Sequence, residues 1–374
     1  MYWLPAILIL PYFIFLLKLY RSLLTIEPFH DSTKPSTFVS LVIAFRNEEN
    51  NIPSLLQDIS SQNYPHDLLE VILVDDHSTD NSLQIAKGFS CFFNFNFLTS
   101  TGSGKKQALR TGILAASGKL IITTDADCRM GSNHIRSIAA FYENNDPDLI
   151  ICPVKLEPLR GIFGRFQGLE FLSLQGITAG CAQAGLPTMC NGANLAFKRD
   201  IYINNTDNLH DEISSGDDVF LLHSLKKVKS SKILWLESPD ALISTESSPT
   251  LQLFLRQRSR WISKGKAYTD RDTIFLGIIT FIAVFLQIVY FAGSLIYPSL
   301  FPVFIAIVFL KSIPDFLILL NTCRRYGNRK LMKWFLPVQL LYPFYVISVL
   351  LIPILCRWKG FVAPSPLGEG WEGG

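Results

Sequence analysis

Carboxylates recur in this chain directly after short apolar runs rich in branched residues. Arg46-Asn47-Glu48-Glu49 follows FVSLVIAF at 38–45, Asp75-Asp76-His77-Ser78-Thr79-Asp80 follows EVILV at 70–74, and Asp125-Ala126-Asp127 follows KLIITT at 119–124. A carboxylate or small polar group there can serve as a helix N-cap, which accounts for Glu49 and Asp80 as well as any chemistry does. Capping explains the paired aspartates less well, because one carboxylate satisfies a helix end and neighbours repel. Two such oxygens suit Mg²⁺ or Mn²⁺, whose remaining positions are filled by substrate phosphates and water. Asp-x-Asp spacing alone is weak, since Asp146-Pro147-Asp148 and Asp270-Arg271-Asp272 share it. Those two lie in polar stretches, whereas Asp125 and Asp127 follow an apolar run.

Other stretches could face a ligand. Ser103-Gly104-Lys105-Lys106-Gln107-Ala108-Leu109-Arg110 is not a phosphate-binding P-loop, and a solvated helix start is its plain alternative. Cys190-Asn191-Gly192-Ala193-Asn194, in the small-residue stretch 180–197, fits a loop in close approach to a ligand or an ordinary turn. Ser214-Ser215-Gly216-Asp217-Asp218 opens an apolar helix, Val219 to Leu225, so capping competes with chemistry there too. Gln257-Arg258-Ser259-Arg260-Trp261 heads toward an apolar segment, where an interfacial Arg and Trp need no chemistry.

The elements that must position these groups read as an α/β sheet of mostly parallel strands between Phe38 and about Asp270. In such a sheet the ligand lies beyond the carboxyl ends of the strands. The ends of the chain are different. Residues 1–24 approach the roughly 20 residues needed to span a bilayer, and spans are expected at about 273–295, 298–320 and 334–356. The charges Lys18 and Arg21 follow the first apolar run and no small-x-small site appears, which favours an uncleaved anchor over a signal peptide. Lys18, Arg21 and Lys34 place the middle of the chain in the cytoplasm, and so does the basic loop from Cys323 to Lys330. The same count puts the C-terminus outside, although Arg357 and Lys359 favour the inside. The stretch 360–374, rich in Gly and Pro, is expected to be disordered.

Composition excludes several classes. With 34 Lys and Arg against 31 Asp and Glu, the net charge of +3 is too small to argue for nucleic acid. The 7 Cys form no CxxC and the 6 His no HxxxH, so zinc and redox motifs are absent and buried reduced thiols are expected.

VIAFRNEE, VDDHSTD, GKKQAL, DAD, GDDVFLL and QRSRW occur in the order found in family 2 glycosyltransferases, and the chain resembles the membrane-bound branch that includes cellulose, chitin and hyaluronan synthases. The resemblance covers about 38–270, and QxxRW is its most discriminating mark. It implies a GT-A nucleotide-sugar-binding domain followed by transmembrane helices, and an inverting transfer from a nucleotide-diphosphate sugar to a lipid-linked or saccharide acceptor. It implies that Ala44, Asn47 and Asp75 line the base and ribose pocket, with Lys105 near the nucleotide. Asp125 would lie near the ribose and sugar and Asp127 on Mg²⁺ or Mn²⁺. Gln257, Arg260 and Trp261 would close over the diphosphate. The family's usual Glu-Asp is Asp217-Asp218 here, so the base is one of the two. Adjacent helical side chains diverge by about 100°, and Leu221, Leu222 and Leu225 set a buried side that favours Asp218.

Three alternatives remain at this point. A nucleotidyltransferase would lack its Gly-rich N-terminal signature and leave QRSRW unexplained. A processive polysaccharide synthase shares QxxRW but would have only about three spans after its catalytic domain. A non-catalytic membrane scaffold would use the carboxylates as caps.

Overall fold

The computed structural model describes residues 4–30, 34–89, 94–210, 213 and 216–358. The tail beyond 358, Ser214, Ser215, Lys359 and the side chain of Arg357 lie outside the described residues. The chain divides into two compact units: Glu27–Glu157 with Met189–Glu246, and Met1–Ile26 with Pro158–Thr188 and Ser247–Phe361.

The first unit holds all the strands: β1 (Val39–Phe45), β2 (Leu69–Asp75), β3 (Asn94–Thr99), β4 (Leu120–Asp125), β5 (Arg129–Met130), β6 (Leu149–Ile151), β7 (Val154–Leu156), β8 (Asn194–Lys198), β9 (Ile233–Trp235) and β10 (Ile243–Thr245). Seven of them form one sheet in the order β3-β2-β1-β4-β8-β6-β9. β1 is parallel to β2 and β4, and β2 to β3, while β8 runs antiparallel to β4 and β6. Every residue of β1, β2 and β4 is buried, which is why these strands are mostly apolar instead of alternating. The chain moves outward through β1, β2 and β3, then returns to the other side of β1 as β4, so the strand order reverses between β1 and β4. A small sheet, β5-β10-β7, adjoins the end of β4 in sequence.

The helices are α1 (Leu10–Leu24), α2 (Ile52–Ser60), α3 (Ser82–Gly88), α4 (Lys105–Ala115), α5 (His134–Asn145), α6 (Gly161–Gln183), α7 (Arg199–Asn204), α8 (Asp217–Lys226), α9 (Leu251–Ser263), α10 (Arg271–Ile296), α11 (Phe301–Arg325) and α12 (Phe335–Trp358). α4 lies close on β1 and β2 because Gly112 has no side chain: a Cβ there would come within 2.6 Å of Val42 Cγ1 and 2.9 Å of Val74 Cγ2.

Among the described residues, four helical segments are long and apolar enough to cross a membrane: Ile7–Leu24, Arg271–Ile296, Pro298–Arg325 and Arg329–Ile352. They belong to the second unit, where α11 packs on α1, α6 and α10, and α9 packs on α12. α6 and α9 lie inside the stretch 38–270 yet cluster with these apolar helices. Lys311, only 1% exposed, pairs with Asp315 at 2.6 Å, and Asp315 also accepts from Tyr12 Oη at 2.5 Å and Gln339 Nε2 at 2.7 Å. That network satisfies charges that would otherwise be costly in an apolar bundle.

Candidate active site

Backbone register assembles the first residues of the site. Phe45 stands opposite Asp75 and Ala44 opposite Asp125, so the last residues of β2 and β4 flank the end of β1. Asp75 is buried and its Oδ1 accepts from the Ser78 N–H at 3.1 Å. Asp125 is buried as well; Lys105 Nζ lies 2.6 Å from its Oδ1, while its Oδ2 is buried without a hydrogen-bond partner. Two residues on, Asp127 Oδ2 accepts from Thr245 Oγ1 at 2.9 Å, so the small sheet, through β10, fixes this carboxylate. Burial, and then the neighbouring Asp125, push the Asp127 carboxyl above its ordinary range.

The strand-end loops are braced against each other. Asn47, at φ 56°, accepts through Oδ1 from the Thr79 N–H at 2.8 Å, and its own N–H donates to Ser78 Oγ at 3.1 Å. Its amide oxygen is thus committed to the loop. Glu49 Oε2 accepts from the Asn81 N–H at 3.2 Å, and Asp80 Oδ2 from the Glu49 N–H at 3.2 Å. Burial alone would raise Asp80, but hydrogen bonds from Ser82 and Glu49 outweigh it and hold the carboxyl below its usual value. Asp76, fully buried, receives the Gly104 N–H at 2.9 Å on both oxygens and so anchors the start of α4. Gly104 sits at φ +95°, a conformation glycine adopts without strain.

Glu48 is a member of this site to which the motifs assign no role. Burial pushes its carboxyl up to about 7, with Asp127 and Asp125 adding repulsion against the opposing Asn51 hydrogen bond and Lys105 charge. Its place directly after β1 was the only sequence signal for it.

Asp217 and Asp218 open α8, both half-buried. The expected one-sided helix is not what forms: Val219 through Leu225 are all buried, so the leucines select no face. A hydrogen bond positions Asp218. Its Oδ2 accepts from the Gly192 N–H at 2.9 Å, and Thr123 Oγ1 on β4 donates to the Gly192 carbonyl at 2.9 Å. The 190–194 loop is therefore held by the β4 side and by the α8 start together. Lys106 corrects the solvated-start alternative for α4: it is 4% exposed, and its Nζ donates to the carbonyls of Leu209 at 2.5 Å, His210 at 2.6 Å and Ile213 at 3.4 Å.

The donor set fits a divalent cation. Asp125 offers a buried oxygen with no hydrogen-bond partner, and Asp127 is a carboxylate crowded by burial and like charge. Among the described residues no group of three or more His, Cys, Asp or Glu converges as ligands. Two carboxylates, with the shell completed by phosphates and water, is the pattern Mg²⁺ and Mn²⁺ accept.

Gln257, Arg260 and Trp261 lie on α9, in the helical unit. Arg258 between them is buried, forks onto Glu170 at 2.9 and 2.7 Å, donates to Gln257 Oε1 at 2.5 Å and stacks 4.1 Å from the Trp261 ring centroid. Cys128, Cys152, Cys181, Cys190 and Cys323 are free, and all of these but Cys190 are buried.

Residues 40–203 match the family model "Glycosyl transferase family 2". The chain is 25% identical over 268 residues to a poly-beta-1,6-N-acetyl-D-glucosamine synthase of Staphylococcus epidermidis, covering 70% of this chain and 62% of that one. It is 31% identical over 134 residues to a dodecaprenyl-phosphate galacturonate synthase of Rhizobium johnstonii, covering 34% and 39% of the two chains. The chain thus spans about three fifths of the length of the synthase it matches. In fold it is similar to the mannosyltransferase PcManGT from Pyrobaculum calidifontis, solved in complex with GDP-Man and Mn²⁺, with a TM-score of 0.59 at 17% identity over 96% of this chain and 99% of that one. The sheet whose carboxyl edge carries the Asp75 and Asp125-Ala126-Asp127 carboxylates thus has a GT-A-like fold, and the stretch 40–203 is similar to glycosyl transferase family 2.

Proposed function

We propose that the chain is an inverting glycosyltransferase that moves one sugar from a nucleotide-diphosphate donor, UDP-linked by preference, to a lipid-linked or saccharide acceptor at the cytoplasmic face of a bacterial-type inner or plasma membrane. The catalytic domain is taken as 38–270, anchored by 1–24 and by the helices of 273–356. One observation carries the reading: at the reversal between β1 and β4, Lys105 meets Asp125 at 2.6 Å while the second Asp125 oxygen is buried and unmatched. A lysine beside two carboxylates, one of which keeps an unmatched buried oxygen, suits a metal-bound diphosphate.

In this mechanism Asp75, with the Ala44–Asn47 strand end, holds the nucleoside. Lys105 faces the donor, and Asp125 and Asp127 hold Mg²⁺ or Mn²⁺, which when bound neutralises charge developing on the leaving diphosphate. Asp218 takes the proton of the acceptor hydroxyl; the new bond from that oxygen to the anomeric carbon forms as the bond to the diphosphate breaks, and the nucleoside diphosphate leaves. A carboxylate base of this kind contributes on the order of 10²- to 10⁴-fold. The hydrogen bond from the Gly192 N–H holds the Asp218 carboxylate in place and supports it as the base. Gln257, Arg260 and Trp261 join the donor-binding set on the motif alone.

A second reading, processive polymer synthesis, is supported by the likeness to the poly-beta-1,6-N-acetyl-D-glucosamine synthase. Membranes containing the chain, supplied with a panel of UDP-sugars and GDP-mannose with and without Mn²⁺, separate the two by mass spectrometry of the product. Addition of a single sugar to a lipid or short saccharide is the expected result. A ladder of oligomers would favour the synthase reading, and no metal-dependent sugar transfer from any donor would overturn both.

A further inference from the structure

We propose that Lys106 is a positioning residue for transfer: from the first turn of the donor-site helix α4 it fixes the backbone at Leu209, His210 and Ile213, and through the contact of His210 with Phe220 the helix α8 that carries Asp218. The inference rests on Asp218 being the base. An ammonium has three N–H groups, and a buried one persists only when they are met. Here three carbonyls meet it, Leu209 at 2.5 Å, His210 at 2.6 Å and Ile213 at 3.4 Å, with the side chain 4% exposed.

Both ends of this link are tied down. On one side, Lys105 contacts Asp125 at 2.6 Å, and adjacent residues of a helix diverge by about 100°, so one turn of α4 serves the donor carboxylate with one ammonium and the loop with the other. That turn is anchored by Asp76 on the Gly104 N–H, and further along α4 Gly112 lets the helix sit close on Val42 and Val74. On the other side, His210 holds φ 57°, a conformation that a non-glycine residue keeps only when its surroundings enforce it. Its carbonyl is one of the Lys106 acceptors, and its ring lies 4.6 Å from that of Phe220 on α8. The loop is therefore gripped by α4 through its backbone and rests on α8 through its side chain. A general base must sit within hydrogen-bond reach of its proton, so a grip on this contact bears on catalysis.

Lys106→Met removes all three donors at similar length, and Lys106→Gln keeps two N–H groups; Lys198→Met, which breaks the pair with Asp146 and Asp148, is the control for loss of a lysine in this unit. Three measurements on the full-length chain in detergent decide the matter: hydrogen–deuterium exchange of peptides across 205–226, calorimetric binding of UDP with Mn²⁺, and turnover by UDP release with the donor that gives product in the panel above. In Lys106→Met, exchange across Leu209–Leu225 should rise while β1 and β2 stay protected, UDP affinity should hold, and kcat should fall by about 10²-fold, the cost of misplacing a reacting group by roughly 1 Å. Lys106→Gln should fall between it and the parent, and Lys198→Met should show none of this. Unchanged exchange at 209–225 in Lys106→Met would overturn the proposal, as would UDP affinity and kcat falling together. Should Lys106→Met fail to fold, the same comparison is made with Lys106→Gln. If the parent chain binds no UDP, the glycosyltransferase reading fails on its own account while the exchange data still decide whether Lys106 holds the loop.

Discussion

Glu48→Gln probes the charge balance of the site without touching a proposed ligand. Burial, with repulsion from Asp127 and Asp125, lifts the Glu48 carboxyl from 4.5 to about 7. At full value that displacement corresponds to about 3 kcal/mol of unfavourable ionisation. The side chain is only half-buried, so solvent screening reduces it to about 1 kcal/mol. Because the folded value is the higher one, the folded chain binds this proton more tightly than the unfolded chain, and stability is lost as pH rises from 4.5 to about 7. Gln does not titrate, and its amide oxygen can still accept from Asn51, which donates to Glu48 at 2.7 Å. In EDTA the two proteins should therefore melt alike below pH 4.5, and at pH 8 the variant should be more stable by about 1 kcal/mol, roughly 2–4 °C in a unit of this size. Added Mn²⁺ should shrink the gap at pH 8, since a cation held by Asp125 and Asp127 favours the ionised Glu48 of the parent. Differential scanning fluorimetry of the detergent-solubilised chain at several pH values reads this directly. A melting difference independent of pH, or a parent more stable than Glu48→Gln at pH 8 in EDTA, would refute the electrostatic account.

Four further outcomes are expected. Asp127→Ala should abolish transfer and the response to added Mn²⁺, whereas Asp148→Ala, which loses only an ion pair with Lys198 and the Lys232 N–H contact, should keep both; equal losses would dissolve the metal assignment. Asp218→Asn should retain UDP binding while transfer falls about 10²- to 10⁴-fold, and a larger loss in Asp217→Asn would move the base by one residue. Arg258→Ala strands the buried Glu170 carboxylate and should destabilise the helical unit by about 3–5 kcal/mol, with Arg258→Met/Glu170→Leu milder in thermal unfolding; a single variant no worse than the double would contradict a paired charge. A reporter inserted at Asn328 should read as cytoplasmic, and an external signal would overturn the proposed orientation.

The sequence alone determined the strands β1, β2 and β4, the carboxylates at their ends and the four apolar segments. Each is a local pattern: an unbroken apolar run means burial on both faces of a strand or twenty residues of membrane-length helix, and the residue after it is a strand end whatever the rest of the chain does. The motif order likewise identified Lys105, Asp125 and Asp127 as candidates, and the register between β1 and its neighbours brought the strand ends together as expected. What only the tertiary structure decided concerns groups whose surroundings come from distant segments. Lys106 reads as a solvated lysine until the Leu209–Ile213 carbonyls, about a hundred residues later, close on it. Glu48 reads as a helix-end acid until Asp125 and Asp127 crowd it. The leucines of α8 suggest one buried side, but Val219 through Leu225 are all buried, and it is a contact with the distant Gly192 that positions Asp218. Periodicity reports which residues avoid water, whereas a carboxylate's charge state and a lysine's partner are set by whatever the fold brings within a few ångströms, and that information is not local in the chain.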